Sequence, residues 1–406
     1  MLRRCGPALA TVALVVACLV ASAAQAAGST TPWLHQKGTG FVDARGRPVL
    51  LRGFDAFPSP DSYPKAVGLG ANFVRLPLYW SRLEPGPPQG DAHAYDEQLL
   101  ARITETLGYL RDRGVHVLID FHQYKWSPYF PSGAPSPGAG IPAWLYADGR
   151  YPPTPQGRPL AVAAFYTDPN ALALYSSFVR DMVERLKSFP NVVGYEILNE
   201  PQWGNLPPNH ATTQLIIEWE AKVRRVISTA DPARTVFFML RGGGLLGLQQ
   251  ADLRPFGSRR NLAVDVHDYF VGTVAARLVA GGEEWFPSWF EATTGSEQAY
   301  SGTLQNQLAL LALPVRRARL WGIPLLVGEW GIKRDDPGQL AYQRQMLTVF
   351  DRYGLGWARW GMSRTDVFAV LNPDGTPIPS AVQLTRAFAH LCFGAAPMRV
   401  GAGCKR

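Results

Sequence analysis

The chain is expected to fold as an α/β protein: a single-domain (β/α)8 barrel of the TIM type, entered through an N-terminal β-hairpin. Three observations predict this. Eight short apolar or β-branched runs recur along the 406 residues, each followed by a stretch long enough for a helix. Several runs, such as VHVLIDF from Val115 and PLLVG from Pro324, are nearly continuous in hydrophobicity, as strands buried on both faces must be. The composition, 47% hydrophobic and 18% charged, supports one large core. Eight such units favour a closed barrel, with an open doubly wound sheet as the competing arrangement.

Residues 1–26 stand apart from that domain. Arg3 and Arg4 precede an apolar run from Ala8 to Val20 that ends in Ala24-Gln25-Ala26, the pattern of a cleavable export signal. The catalytic domain is then 27–406, and a secreted or periplasmic location is expected. A second reading takes Val15-Val16-Ala17-Cys18 as a lipoprotein processing site, with acylated Cys18 tethering the protein to a membrane. No other stretch reaches the ~20 apolar residues of a transmembrane helix. Loss of Arg3 and Arg4 lowers the formal net charge of +8 by two, and the remaining basic residues are scattered, so a nucleic-acid partner is not expected. Of four cysteines, Cys392 and Cys404 lie beyond the leader; in an exported chain they form one disulfide or remain free thiols.

The elements follow in order. FVDARGRPVL, from Phe41, reads as a hairpin turning at Ala44 to Arg47 and set against the barrel bottom. The eight barrel runs are Val49 to Phe54, Asn72 to Pro77, Val115 to His122, Val192 to Asn199, Thr235 to Leu240, Leu262 to His267, Leu325 to Glu329 and Gly356 to Gly361. Helical periodicity is clearest over Asp96 to Arg113, Ala171 to Phe189, Thr213 to Thr229 and Gln339 to Tyr353. Two long connections, Lys125 to Pro159 and Phe270 to Ser296, follow the C-terminal ends of strands and should overhang the active face; the second holds Trp285, Phe286, Trp289 and Phe290.

Polar residues gather where these apolar runs end: Arg75, His122, Asn199 with Glu200, His267 and Tyr269, Glu329, and Trp360. Core filling does not explain such a set, because charges buried at one rim are costly unless they face a functional cavity. The surrounding motifs are NFVRLP, LIDFH, GYEILNEP, VDVHDY, LLVGEWG and WARWG. With these in order along the mature chain, the sequence resembles glycoside hydrolase family 5, the cellulase-type retaining barrel enzymes.

The resemblance implies Glu200 as acid/base and Glu329 as nucleophile of a retaining β-glycosidase. The chemistry is consistent, since an oxocarbenium-like transition state needs one acid for the leaving oxygen and one carboxylate beneath the anomeric carbon. Carboxyl groups about 5–5.5 Å apart dictate retention, whereas a gap of ~6.5–9.5 Å leaves room for an attacking water. The resemblance further implies that Arg75 and Tyr269 hydrogen-bond Glu329, that His267 borders Glu200, and that Asn199 holds the sugar 2-hydroxyl. It places His122 on the sugar or in the buried polar network, and Trp360 beneath the sugar ring.

Asp55, where many relatives have Asn, and the uncommon Gln123-Tyr124 pair depart from the pattern and leave the substrate open. A polysaccharide or glycoside is expected, first an endo-cleaved β-1,4-glucan. An endoglycoceramidase-like action on glycolipid, a mannanase and an exo-β-glucanase are the alternatives. A carbohydrate-binding barrel without activity is a remote one, since both carboxylates are present. Trp80, Trp126, Trp144, Trp203 and Trp330 are read as sugar platforms or loop anchors, and Glu84, Asp120, Glu196 and Asp265 as structural. No metal or cofactor is expected: HExxH and Cys/His clusters are absent, and Gly242-Gly243-Gly244 lacks the Lys-Ser/Thr sequel of a phosphate loop. A monomer is expected.

Overall fold

The computed structural model describes residues 33–90, 92–131, 137–240, 248, 251–270 and 299–389. The leader with Cys18, the glycines at 242–244, the aromatic segment at 285–290 and the Cys392/Cys404 pair lie outside the described residues.

Eight parallel strands close into a barrel. In chain order they are β4 (Arg52–Asp55), β5 (Phe73–Leu78), β6 (His116–Phe121), β7 (Val192–Glu196), β8 (Thr235–Met239), β9 (Leu262–Phe270), β10 (Leu325–Ile332) and β11 (Gly356–Arg359), with β11 pairing back onto β4. Helices such as Glu97–Arg111, Pro169–Leu186, His210–Ala230 and Gln339–Tyr353 run between them. Asp96, Asp168 and Asn209 start the first three by accepting backbone N–H groups at their N-termini. The expected helices therefore form within a few residues of the periodicity that predicts them.

The first barrel run breaks in two. Pro48–Val49 is β3, which pairs with β2 (Gly40–Val42), itself paired with β1 (His35–Lys37); the barrel strand starts only at Arg52. Asn72 enforces the break by accepting from the Arg52 N–H at 2.8 Å and donating to the Leu50 carbonyl at 2.9 Å. The hairpin turns around Asp43, whose Oδ1 accepts from the N–H groups of Arg45 and Arg47, each at 2.9 Å. Leu34 and Phe41 from this small sheet pack against Leu51, Phe73, Leu118, Phe237 and Leu326, and the Phe41 and Phe237 rings stack at 5.9 Å. The hairpin thus plugs the bottom of the barrel with apolar surface.

Strand alternation then decides what lies above the plug. Residues two positions further along share the inward face, so Phe73, Leu118 and Ala263 at the bottom are followed by Arg75, Asp120 and Asp265. The barrel interior changes from hydrocarbon to charge within one pleat, towards the C-terminal rim where barrel enzymes carry their sites.

Candidate functional site

Arg75 on β5 is fully buried, and its guanidinium organises the charged layer. Nε and Nη2 donate to the two oxygens of Glu196 at 2.8 and 2.9 Å, a bidentate pair. Nη2 also donates to Asn199 Oδ1 at 2.7 Å, while Nη1 donates to Glu329 Oε1 at 2.7 Å and Asp55 Oδ1 at 3.0 Å. Asp120 Oδ2 lies 3.1 Å from Nη1. Burial pulls the Arg75 pKa down, but Asp120, Glu196, Glu329 and Asp55 outweigh it and hold the group well above its ordinary value. Burial also raises Asp55 and Asp265 well above the carboxylate range and Asp120 to about 7, against the opposing pull of Arg75. Burial thus favours the neutral form of these acids and Arg75 the charged form, and the one guanidinium is the shared partner of the layer.

Glu329 sits on β10 where the register with both neighbours shifts, between Val327 and Glu329 against β9 and between Val327 and Trp330 against β11. This bulge re-aims the side chain into the barrel mouth. Gly328 permits it: a Cβ there would lie 1.8 Å from Asp265 Oδ2, and Asp265 Oδ1 takes the Gly328 N–H at 2.6 Å. Tyr269 Oη donates to Glu329 Oε2 at 2.7 Å, so each oxygen of this carboxylate has a strong donor.

Glu200 lies four residues beyond β7, in the left-handed region at φ 40°. For a residue with a side chain this costs on the order of 1–3 kcal/mol, a strain that folds keep where a group must be aimed. Its side chain is 22% exposed against 6% for Glu329, so it faces the open mouth. Glu200 Oε1 lies 2.7 Å from His267 Nδ1, which is also 3.4 Å from Glu329 Oε2. Burial lowers His267 to about 4, against the pull of Glu329, so the ring is neutral near pH 7. An oxygen of Glu200 and one of Glu329 lie within 4.8 Å of each other. The two carboxylates therefore share one pocket and can approach a bond from either side.

Burial raises the pKa of both glutamates; His267 and Arg75 oppose it at Glu329, and His122 and Arg75 at Glu200. The donors differ, however. Glu329 accepts from a guanidinium and a phenol, while Glu200 faces a neutral imidazole, so hydrogen bonding favours the ionised form more strongly at Glu329 than at Glu200. The trio Glu200, His267 and Glu329 could in principle surround a cation, but the Glu329 oxygens and His267 Nδ1 are already engaged by these bonds.

Other expected site residues fall in the same pocket. His122 Nδ1 pairs with Asp120 Oδ2 at 2.6 Å, placing it in the buried network, and Trp360 stacks on the His122 ring at 5.5 Å. Asn199 is held by Arg75 and by the Gln123 carbonyl, to which its Nδ2 donates at 3.0 Å. Trp80, Trp126 and Trp330 are at most 2% exposed and are core residues, not sugar platforms.

Asp120, Glu196 and Asp265, read from the sequence as structural, are joined to the site through Arg75 or the strand carrying Glu329. Alternation with Leu118 and Ala263 on their own strands is the sequence signal for Asp120 and Asp265. Glu84 lies apart: it accepts from Trp80 Nε1 and pairs with His93, whose other ring nitrogen meets Ser177, tying a loop to the Pro169–Leu186 helix.

Comparison with known proteins gives the family and the fold. The family model described as cellulase (glycosyl hydrolase family 5) matches residues 42–366. The chain is 30% identical over 200 residues to endoglycoceramidase I of Rhodococcus hoagii (strain 103S), covering 42% of this chain and 37% of that protein. It is 38% identical over 68 residues to endo-β-1,4-glucanase B of Aspergillus niger, covering 17% and 20%. The matches thus span well under half the length of these curated relatives. Among solved structures, endo-glycoceramidase II from Rhodococcus sp. superposes with a TM-score of 0.64 at 23% identity, covering 84% of this chain and 79% of that one. A β-glucanase from Saccharophagus degradans superposes with a TM-score of 0.60 at 16% identity, covering 88% and 94%. These superpositions show the shared barrel.

Proposed function

Since the chain belongs to glycosyl hydrolase family 5 and is an O-glycosyl hydrolase of its retaining, two-glutamate kind, we propose that Glu329 is the nucleophile and Glu200 the acid/base, and that the bond cut is a β-glycosidic one at the reducing end of a glycolipid headgroup. For the two roles, the carrying observation is the unequal donor set on two carboxylates within 4.8 Å of each other. Ionised Glu329 attacks the anomeric carbon while Glu200 protonates the departing oxygen; a covalent glycosyl-enzyme results. Glu200, now ionised, takes a proton from water, which displaces Glu329 and releases the sugar with its original anomeric configuration. In this reading Asn199, held by Arg75, Gln123 and His122, takes the sugar 2-hydroxyl through an exchange of one of these bonds, and the Trp360 face turned away from His122 lies beneath the ring.

For the substrate, the similarity to endoglycoceramidase I runs over 200 residues, against 68 for the endoglucanase. The sequence after β9 also supplies Trp285, Phe286, Trp289 and Phe290, side chains suited to a lipid. An endo-β-1,4-glucanase is the second reading, favoured by the higher identity of the shorter match.

Lactosylceramide in detergent and cellopentaose, offered separately, discriminate the two. Release of intact lactose and ceramide at least ~10-fold faster than cellopentaose cleavage is the expected result, a ratio worth about 1.4 kcal/mol of transition-state binding. Cleavage of cellopentaose with the lipid untouched would transfer the assignment to the second reading.

A further inference from the structure

In the loop that carries Glu200, the Asn199 N–H donates to the Phe121 carbonyl at 3.0 Å, and Tyr166 Oη donates to the Gln202 carbonyl, but the backbone at Glu200 itself is poorly bonded. Pro201 has no N–H, and the Glu200 N–H finds only the thioether of Met239, at 3.2 Å. Yet the residue is held at φ 40°, where an unrestrained chain with a side chain would relax. At the Asn199 and Glu200 carbonyls one buried side chain supplies the restraint. Gln123, 1% exposed, donates through Nε2 to the carbonyls of Asn199 at 3.1 Å and Glu200 at 2.9 Å. Its Oε1 accepts from the Trp126 N–H at 3.0 Å and from Gln202 Nε2 at 3.3 Å. Both donors and both lone pairs of one amide are thus used, and the Gln123 carbonyl takes Asn199 Nδ2 as well.

The surroundings are built for this amide. A Cβ at Gly140, which lies at φ 133°, would come within 2.4 Å of Gln123 Cβ, so the close approach of the 139–141 segment depends on glycine there. That segment is itself pinned: Tyr124 and Ala139 exchange backbone hydrogen bonds, and the Ser81 N–H donates to the Gly140 carbonyl at 2.7 Å.

We propose that Gln123 is a positioning residue for the acid/base, clamping the Asn199–Glu200 carbonyls so that the Glu200 carboxyl stays aimed at the leaving oxygen. This rests on the assignment of Glu200 above. No other amino acid provides the same pattern: Glu at this position is an acceptor when ionised and repels the two carbonyls, Met fills the volume with no bonds, and Asn is one methylene short.

The test compares Gln123→Met and Gln123→Glu with Glu200→Gln on aryl β-lactosides whose leaving groups range from dinitrophenol to phenol, with thermal melting to show that each variant is folded. Both Gln123 variants should lose about 10²-fold in kcat/KM on the phenyl lactoside, the lower end of what general acid catalysis contributes, and stay within about threefold of the parent on the dinitrophenyl lactoside, where no proton is needed. A merely structural role, or displacement of Asn199 alone, would lower all leaving groups alike, and that result overturns the proposal. So does a Gln123 series without loss while Glu200→Gln shows the steep leaving-group dependence; the acid/base assignment then survives. If Glu200→Gln shows no such dependence, the assignment itself fails and the clamp falls with it.

Discussion

Glu329→Ala is expected to lower kcat by on the order of 10⁴-fold or more for every substrate, whatever its leaving group, because both chemical steps use that carboxylate. The fold should survive the change. Arg75 keeps Glu196, Asp55 and Asn199 as partners when Glu329 is removed, so the buried guanidinium is not left alone. Tyr269 loses its acceptor, a cost of about 1–3 kcal/mol that melting would record. Steady-state kinetics on an activated and an unactivated substrate, with a melting curve of the same preparation, check both halves. Activity retained on either substrate would mean that another group attacks the anomeric carbon.

Glu200→Gln is expected to divide the substrates. With a poor leaving group the first step loses ~10²–10⁴-fold, and with dinitrophenolate it is nearly spared. The second step then becomes limiting, because water lacks its base, and azide, which needs none, should raise kcat. The pH profile should change in the same variant. In the parent, kcat/KM needs Glu329 ionised and Glu200 protonated. It therefore falls as pH drops through the pKa governing Glu329 and again as pH rises through the one governing Glu200; the two values belong to the coupled pair. Burial raises both above the ordinary value of 4.5, so the acid limb lies above that value. His267, lowered to about 4 by burial, is neutral across the alkaline limb and does not account for it. Glu200→Gln removes the alkaline limb and keeps the acid one. An alkaline limb that persists unchanged would assign the proton donor elsewhere.

Much of this was legible in the sequence because the barrel and its rim speak in local patterns. Strands buried on both faces read as uninterrupted hydrophobicity, and a Glu at the end of such a run has few places to go but the mouth. The cluster around Arg75 was harder. A single Asp inside an apolar strand shows no partner in one dimension, so Asp120 and Asp265 look like isolated structural acids until barrel closure brings Arg75 to the first and Gly328 to the second. Trp80, Trp126 and Trp330 could be taken for sugar platforms because aromatic residues near a rim serve packing and stacking equally well; only burial separates the two. Val49 misleads for a different reason. It continues an apolar run into Leu50 and Leu51, yet it pairs with Phe41 in the hairpin, and the side chain that enforces the break, Asn72, is remote in sequence. The Gln123 clamp depends on a loop crossing whose geometry no periodicity encodes.

The central claim is that the Glu329 carboxylate bonds to the anomeric carbon of the substrate. Dinitrophenyl 2-deoxy-2-fluoro-β-lactoside forms that bond quickly and breaks it slowly, so mass spectrometry of the intact protein followed by peptide mapping reads it directly. One sugar per chain, attached to the peptide containing Glu329, is the predicted result. A sugar on any other residue, or rapid release of dinitrophenolate with no trapped species, would contradict it.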